Sequence, residues 1–162
     1  MTEAEFFETM EAADPVPSQR VVNFTVPGVP VAKGRPKFAR RGKHITTYTP
    51  AKTAAYEILV QISAEDAMKA DPRLCMGPLR VDLDVVVPVP SSWSKTRQRA
   101  AMDGNIAPTT RGDLDNYGKA VLDGMNGYVF NDDSQVVKLS MSKRYGEPAV
   151  HVIVTELPME AA

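Results

Sequence analysis

Between Arg111 and Gln135 the chain reads "RGDLDNYGKAVLDGMNGYVFNDDSQ", which places Asp113, Asp115, Asp123, Asp132 and Asp133 around one helix-like run. Carboxylates this close raise one another's pKa unless a cation lies between them. On a helix, residues four apart share a face. Asp115, Lys119 and Asp123 therefore form a polar row opposite Leu114, Tyr117 and Val121, with Asp113 at the helix mouth. The turn at Asp132 and Asp133 is close enough in sequence to fold back onto that row. Hard divalent cations favour carboxylate oxygens, and Mg²⁺ takes one or two carboxylates together with water and substrate phosphate. Such a metal lowers the pKa of an attacking water and neutralises charge on a phosphate undergoing displacement. The same residues admit a plain structural account. Asp113 and Asp115 would be cap and dipole partners, Lys119 would pair with Asp115 and Asp123, and "NDD" would be a turn. Gly118 and Gly124 fall outside that account. A glycine inside a helix costs about 1 kcal/mol relative to alanine, so both suggest close approach of another backbone or a ligand.

Two basic segments could bring a polyanion to these acids. Lys33, Arg35, Lys37, Arg40, Arg41 and Lys43 are interleaved with Phe38, His44 and Tyr48 in a stretch punctuated by Gly34, Pro36 and Gly42. That composition suits a loop or ribbon that tracks phosphates and offers stacking groups, with a solvated loop as the plain alternative. Lys95, Arg97 and Arg99 lie beside Trp93, and Arg111 opens the acidic run. Other chemistries find little support. Asp82 and Asp84 share one side of a strand and are expected on its solvent face. His44 and His151 lie far apart without a nucleophile context, Cys75 is expected to be an inert thiol, and "KGRPK" lacks the spacing of a phosphate-binding P-loop.

At 162 residues and 43% apolar content, the chain suits one domain with a real core. Its formal charge of −1 conceals segregation, because Glu3, Glu5, Glu8, Glu11 and Asp14 stand in the first fourteen residues without a Lys or Arg. The remaining body is mildly basic. One cysteine excludes an intramolecular disulfide, and no Cys/His cluster has zinc spacing. The acidic start lacks the pattern of a secretory signal, and no apolar run reaches the roughly 18 to 20 residues of a membrane span. A cytoplasmic setting, with no membrane partner and no nucleotide cofactor, is expected.

The elements that must position these residues follow from periodicity. Residues 1–19 read as a mobile tail or a frayed short helix outside the fold, and 20–158 as the domain. "RVVNFTV" alternates Val22, Phe24 and Val26 into a first strand. A helix follows "TP", with Thr49 as cap and Ala51, Ala55, Ile58, Leu59 and Ile62 as its buried stripe. "LRVDLDVVV" is a strand with Val81, Leu83, Val85 and Val87 inward. The piece around "SSWSKTRQRAAMDG" can form a helix, and a polar linker leads from it to Gly112. The acidic helix runs from Asp113 or Leu114 to Asn126-Gly127, with Leu114, Tyr117, Val121 and Met125 buried. "QVVKLSMSKRY", with Val137, Leu139 and Met141 inward, and "AVHVIVTEL" are expected to close as a β-hairpin. The fold class is therefore mixed α/β (α+β), a small mixed sheet packed against two main helices.

The string "DLDNYGKAVLDGMNGYVFNDDSQVV" resembles the RusA family of Holliday junction resolvases. That family's pattern is D-x-D-N, a Lys three residues later, D-[AG]-[LM]-N-G, then D-D-x-Q, and every position is filled. "GVPVAKGRPKFARRG", "YTPAKTAAYE" and "PSSWSK" extend the likeness to roughly residues 22–155. The chain departs from the pattern at Tyr117 and Gly118, where bulkier aliphatics are usual, and in its amino-terminal extension. The resemblance implies a homodimeric, Mg²⁺-dependent endodeoxyribonuclease of phage or prophage type, with Mn²⁺ as a substitute. It implies metal-binding carboxylates at Asp113, Asp115 and Asp133, with Asp132 assisting, Lys119 as the essential charged partner, and Asp123 first of all structural. Four-way DNA junctions in recombination, repair or phage DNA processing are the implied substrate. A less selective fork or flap nuclease and a non-cleaving DNA-binding module are the alternatives.

Overall fold

In the computed structural model, described here for residues 2–11, 19–110 and 112–159, a four-stranded mixed sheet carries two helices on one face. The strands are β1 (Val21–Pro27), β4 (Leu79–Val87), β5 (Val136–Tyr145) and β6 (Ala149–Glu156), in spatial order β1-β6-β4-β5. A separate two-stranded ribbon is formed by β2 (Lys37–Arg41) and β3 (His44–Tyr48). The helices are α1 (Glu3–Glu11), α2 (Ala51–Ala67), α3 (Lys95–Met102) and α4 (Leu114–Met125). The fold class is the mixed one expected.

Val22, Phe24 and Val26 of β1, Val81, Leu83 and Val85 of β4, and Val150, Val152 and Val154 of β6 form the floor of the core. Tyr56, Val60 and Ala64 of α2 and Tyr117, Val121 and Met125 of α4 form its roof. The stripe expected for α4 is thus the observed one. That of α2 is not: Thr53, Tyr56, Val60 and Ala64 are buried, while Ile58 and Ile62 are 54% and 58% exposed. The helix is rotated from the expected face because Tyr56 and Val60 meet α4, and its cap is Pro50 rather than Thr49.

The expected terminal hairpin does not form. β6 pairs antiparallel with both β1 and β4, and β5 pairs parallel with β4 on the far side. The near-continuous apolar run of β6 explains its central place, since such a strand is covered on both faces. As an edge strand, β5 leaves Val137 61% and Leu139 44% exposed; Leu139 stands beside Val81 on the side expected to face the core, but its place at the edge leaves it half uncovered. Asp82 and Asp84 correct another expectation, being 2% and 1% exposed rather than on a solvent face. Asp82 pairs with Arg80, Nε to Oδ2 at 2.9 Å. Asp84 accepts from Arg144 Nε at 2.8 Å and from Ser142 Oγ at 3.0 Å.

The amino-terminal stretch, expected outside the fold, contributes α1. Thr2 and Glu5 exchange side-chain and backbone hydrogen bonds, Glu5 N–H to Thr2 Oγ1 at 3.2 Å and Thr2 N–H to Glu5 Oε2 at 2.5 Å. This is the reciprocal capping of the T-x-x-E spacing. Phe6 is buried, with its ring 6.0 Å from that of His151, and Thr25 Oγ1 donates to Glu3 at 2.5 Å. Residues 12–18 of that stretch lie outside the described residues.

Candidate active site

The acidic helix starts where its sequence says it should, but the side chain at its mouth does not cap it. Asp113 is the N-cap residue, and its carbonyl accepts from the Asn116 and Tyr117 N–H groups at 3.1 and 3.2 Å. Its carboxylate makes no capping hydrogen bond. No ion pair joins Asp115 to Lys119 or Lys119 to Asp123 among the described residues. The cap expected of Asp113 and the ion pairs expected of Lys119 therefore do not form, while Asp115 keeps a first-turn place that the helix dipole favours, and all three side chains are exposed.

Two of the neighbouring aspartates are structurally engaged. Asp123 and Glu57 of α2 hold the ammonium of Lys33, the Glu57 contact being 2.7 Å. Burial pulls the Lys33 pKa down, but the hydrogen bonds to Asp123 and Glu57 outweigh it and the ammonium stays charged above the ordinary lysine range. The Lys33 N–H also donates to Asn116 O at 2.8 Å, which moors the start of the basic segment on α4. Grouped by sequence with the DNA-binding residues, Lys33 is in fact turned inward.

Asp132 caps a short 3₁₀ turn at Asp133–Gln135. Its carboxylate accepts from Ser134 N–H at 2.8 Å while Gln135 Oε1 accepts from Asp132 N–H at 3.2 Å. Those bonds hold the Asp132 carboxyl below the usual range. Asp133 is pushed the other way, by burial first and then by the carboxylates of Asp132 and Asp123, with Lys119 opposing. Asp133 thus shares its surroundings with Lys119, as the fold-back of the turn predicts.

Among the described residues, no three carboxylate, imidazole or thiolate side chains converge closely enough to hold a metal by themselves. The donor set is nevertheless of the right kind. Only carboxylates are on offer, the choice of a hard cation, and the pKa of Asp133, raised by burial and then by its carboxylate neighbours, is one that a bound cation would lower. Mg²⁺ needs one or two such ligands when water and phosphate complete its shell. Asp113 and Asp115 are exposed, and Asp133 is engaged, among the described residues, only with its neighbour Asp132, so these are the carboxylates that could serve.

The basic residues divide. Lys37, Arg40 and Lys43 lie on the ribbon, with Arg41 at the end of β2, and Phe38 and Ile45 on one of its faces are 74% and 71% exposed. No other element packs extensively on this ribbon. Arg35 is exposed just before it, whereas Arg40 Nε is occupied with Gly42 O at 3.2 Å. On α3, Lys95 and Arg99 are exposed, and Arg97 stacks 3.8 Å from the centre of the Trp93 ring. Arg111 lies outside the described residues. The remaining candidates take no part. Cys75 is buried, which raises its thiol pKa, and His44 and His151 lie on the ribbon and on β6 respectively.

Gly118 and Gly124 have an explanation that involves no ligand. A β-carbon at Gly124 would stand 2.7 Å from Val60 Cβ and 3.0 Å from Glu57 O, so this glycine lets α2 and α4 touch. One at Gly118 would collide with Met141 Sδ of β5. The expected close approach is real at Gly124 and is that of a helix backbone.

A mixed sheet roofed by two helices, with Asp113, Asp115 and Lys119 exposed along the second of them, defines a small α/β domain. The chain belongs to the RusA endodeoxyribonuclease family, whose description, Endodeoxyribonuclease RusA, matches residues 27–155. It is also 38% identical over 139 residues to the uncharacterized protein YqaN of Bacillus subtilis (strain 168), covering 84% of this chain and 96% of that protein. No helix among the described residues is long and apolar enough to cross a membrane.

Proposed function

We propose that this protein is a metal-dependent endodeoxyribonuclease that resolves four-way DNA junctions by paired, symmetric phosphodiester hydrolysis. The observation that carries the reading is the sorting of charges around α4. Asp123 and Asp132 are consumed by an ion pair and a cap, while among the described residues Asp113, Asp115 and Lys119 are exposed without a capping bond or ion pair, and Asp133 is raised by burial and by its carboxylate neighbours.

Asp113, Asp115 and Asp133 would hold Mg²⁺, with Mn²⁺ as a substitute. The bound metal would supply an activated water and charge neutralisation at the phosphate. Lys119, on the same side of the helix as Asp115, orients the attacking water or meets the charge that builds on the phosphoryl oxygens. The ribbon residues Lys37, Arg40, Arg41 and Lys43, with Arg35, Lys95, Arg97 and Arg111, grip the arms through their phosphates. Two symmetric cuts need two sites, which a two-fold homodimer provides. Recombination, repair or processing of branched phage DNA would all use this chemistry.

The test is cleavage of an end-labelled four-way junction, with duplex and fork controls, in Mg²⁺ and in EDTA, by wild type and Asp115→Asn. Paired nicks from wild type in Mg²⁺ alone, with junction binding retained by the variant, are expected. Cutting by Asp115→Asn in a clean preparation would remove the carboxylate from the chemistry. Binding without any cut in several divalent metals would leave a DNA-binding module.

A further inference from the structure

Asp113 can act with Asp115 and Asp133 only if the chain enters α4 from the right direction, and among the described residues few hydrogen bonds hold the segment before it. Its start is fixed by Asn105 N–H donating to Ala100 O at 2.9 Å. Beyond that, Pro108 and Thr110 form one wall of a cavity of about 230 Å³ whose other walls include Val29, Val87 and Tyr145. Pro108 is buried and anchors the middle of the segment, but its packing makes no hydrogen bond to the carbonyls nearer Asp113. Among the described residues, the carbonyls of this segment receive hydrogen bonds from a single side chain. Lys143 Nζ of β5 donates to Thr110 O at 3.3 Å and to Gly112 O at 3.0 Å.

Lys143 reaches the segment from the sheet. It lies opposite Val85 of β4 and therefore on the face that carries α4, where its stem lines the cavity beside Tyr117 and Tyr145. No carboxylate among the described residues claims its ammonium. Gly112, held from that side, has φ +108° and lies against the Tyr117 ring so closely that a β-carbon would strike the hydroxyl. The residue before Asp113 is thus clamped between a lysine ammonium and a tyrosine ring.

We propose that Lys143 is a positioning residue for the carboxylate site, one that holds the Thr110 and Gly112 carbonyls and so sets where the Asp113 carboxylate stands. This rests on the reading of Asp113 as a metal ligand. A side chain that orients a ligand from behind changes metal affinity by about tenfold or more when removed.

Mn²⁺ binding to the full chain, followed by electron paramagnetic resonance without DNA, tests it in wild type, Lys143→Met, Lys143→Gln, Lys143→Arg and Asp113→Asn. Lys143→Met should weaken Mn²⁺ binding by about tenfold. Lys143→Gln, which can reach one carbonyl, should fall between, and Lys143→Arg, whose fork can reach both, should recover most of the loss. In the cleavage assay the methionine variant should lose kcat with KM for the junction kept. Wild-type Mn²⁺ affinity in Lys143→Met and Lys143→Gln, with affinity lost in Asp113→Asn, overturns the role of Lys143 alone. Wild-type affinity in Asp113→Asn overturns the ligand assignment and the positioning role with it. A loss in Lys143→Arg as large as in Lys143→Met overturns the tether, because charge and stem are then kept without effect.

Discussion

Asp133 is partly buried and stands beside two other carboxylates. Burial and the carboxylates of Asp132 and Asp123 raise its pKa, and Lys119 offsets them only in part. A carboxyl whose folded pKa is raised supports stability below its unfolded pKa and loses that support as pH rises through the folded value. At neutral pH without metal, the ionised Asp133 is therefore a liability. Asp133→Asn should leave the protein at least as stable as wild type in EDTA. Mg²⁺ should raise the melting temperature of wild type and not of the variant. Thermal unfolding with and without Mg²⁺ measures this, and an equal rise in both would remove Asp133 from the metal site. Sequence spacing brought Asp133 toward Lys119 correctly. It could not separate Asp133 from Asp132, because the two adjacent carboxylates differ in what surrounds them: Asp132 caps the 3₁₀ turn, while Asp133 is more buried and shares its surroundings with Asp132, Asp123 and Lys119.

At the scale of elements, α4 was legible and the elements around it less so. Its apolar stripe at Leu114, Tyr117, Val121 and Met125 stands against charged residues on the other side, so helical periodicity admits one face. In α2 the most apolar residues, Ile58 and Ile62, are exposed, while Thr53 is buried with its hydroxyl accepting from Gly34 N–H at 3.2 Å. Hydrophobicity alone selects the wrong side there. Helix α1 carried the T-x-x-E signature in plain view, but its acidic composition masked it. The β2–β3 ribbon belongs to this scale too. An isolated two-stranded ribbon is only marginally stable, and this one carries basic and aromatic side chains into solvent. Charge reversal at Lys37 and Arg40 should weaken junction binding and reduce the slope of log affinity against log salt by about 2, since each phosphate no longer neutralised takes away roughly 0.9. Fluorescence anisotropy across a salt series reads the slope, and an unchanged slope would free the ribbon from any DNA role.

Across the whole molecule, the sheet carries α2 and α4 on one face and a buried polar layer on the other. Asp84 meets Arg144 and Ser142 there, and His151 lies opposite Asp84 in the strand register, with its Nδ1 3.1 Å from Thr25 Oγ1. Removing one partner from a buried pair leaves an uncompensated charge. Arg144→Met should destabilise the protein by about 3 to 5 kcal/mol, and adding Asp84→Asn should recover much of that. Urea denaturation measures both, and a cost below about 1 kcal/mol in the single variant would show that solvent already reaches Asp84. By itself, the sequence determined the helix that bears the aspartates, the residues of its apolar stripe, the alternation of β1 and β4, and the family, because periodicity and a dense motif are local properties. Tertiary structure alone decided the order β1-β6-β4-β5, the burial of Asp82 and Asp84, which helix comes close at Gly124, and the inward turn of Lys33. Each of those depends on which distant segment arrives beside a residue. A strand's pattern says that one face is covered without saying by what, and a charged side chain does not announce the partner that will claim it.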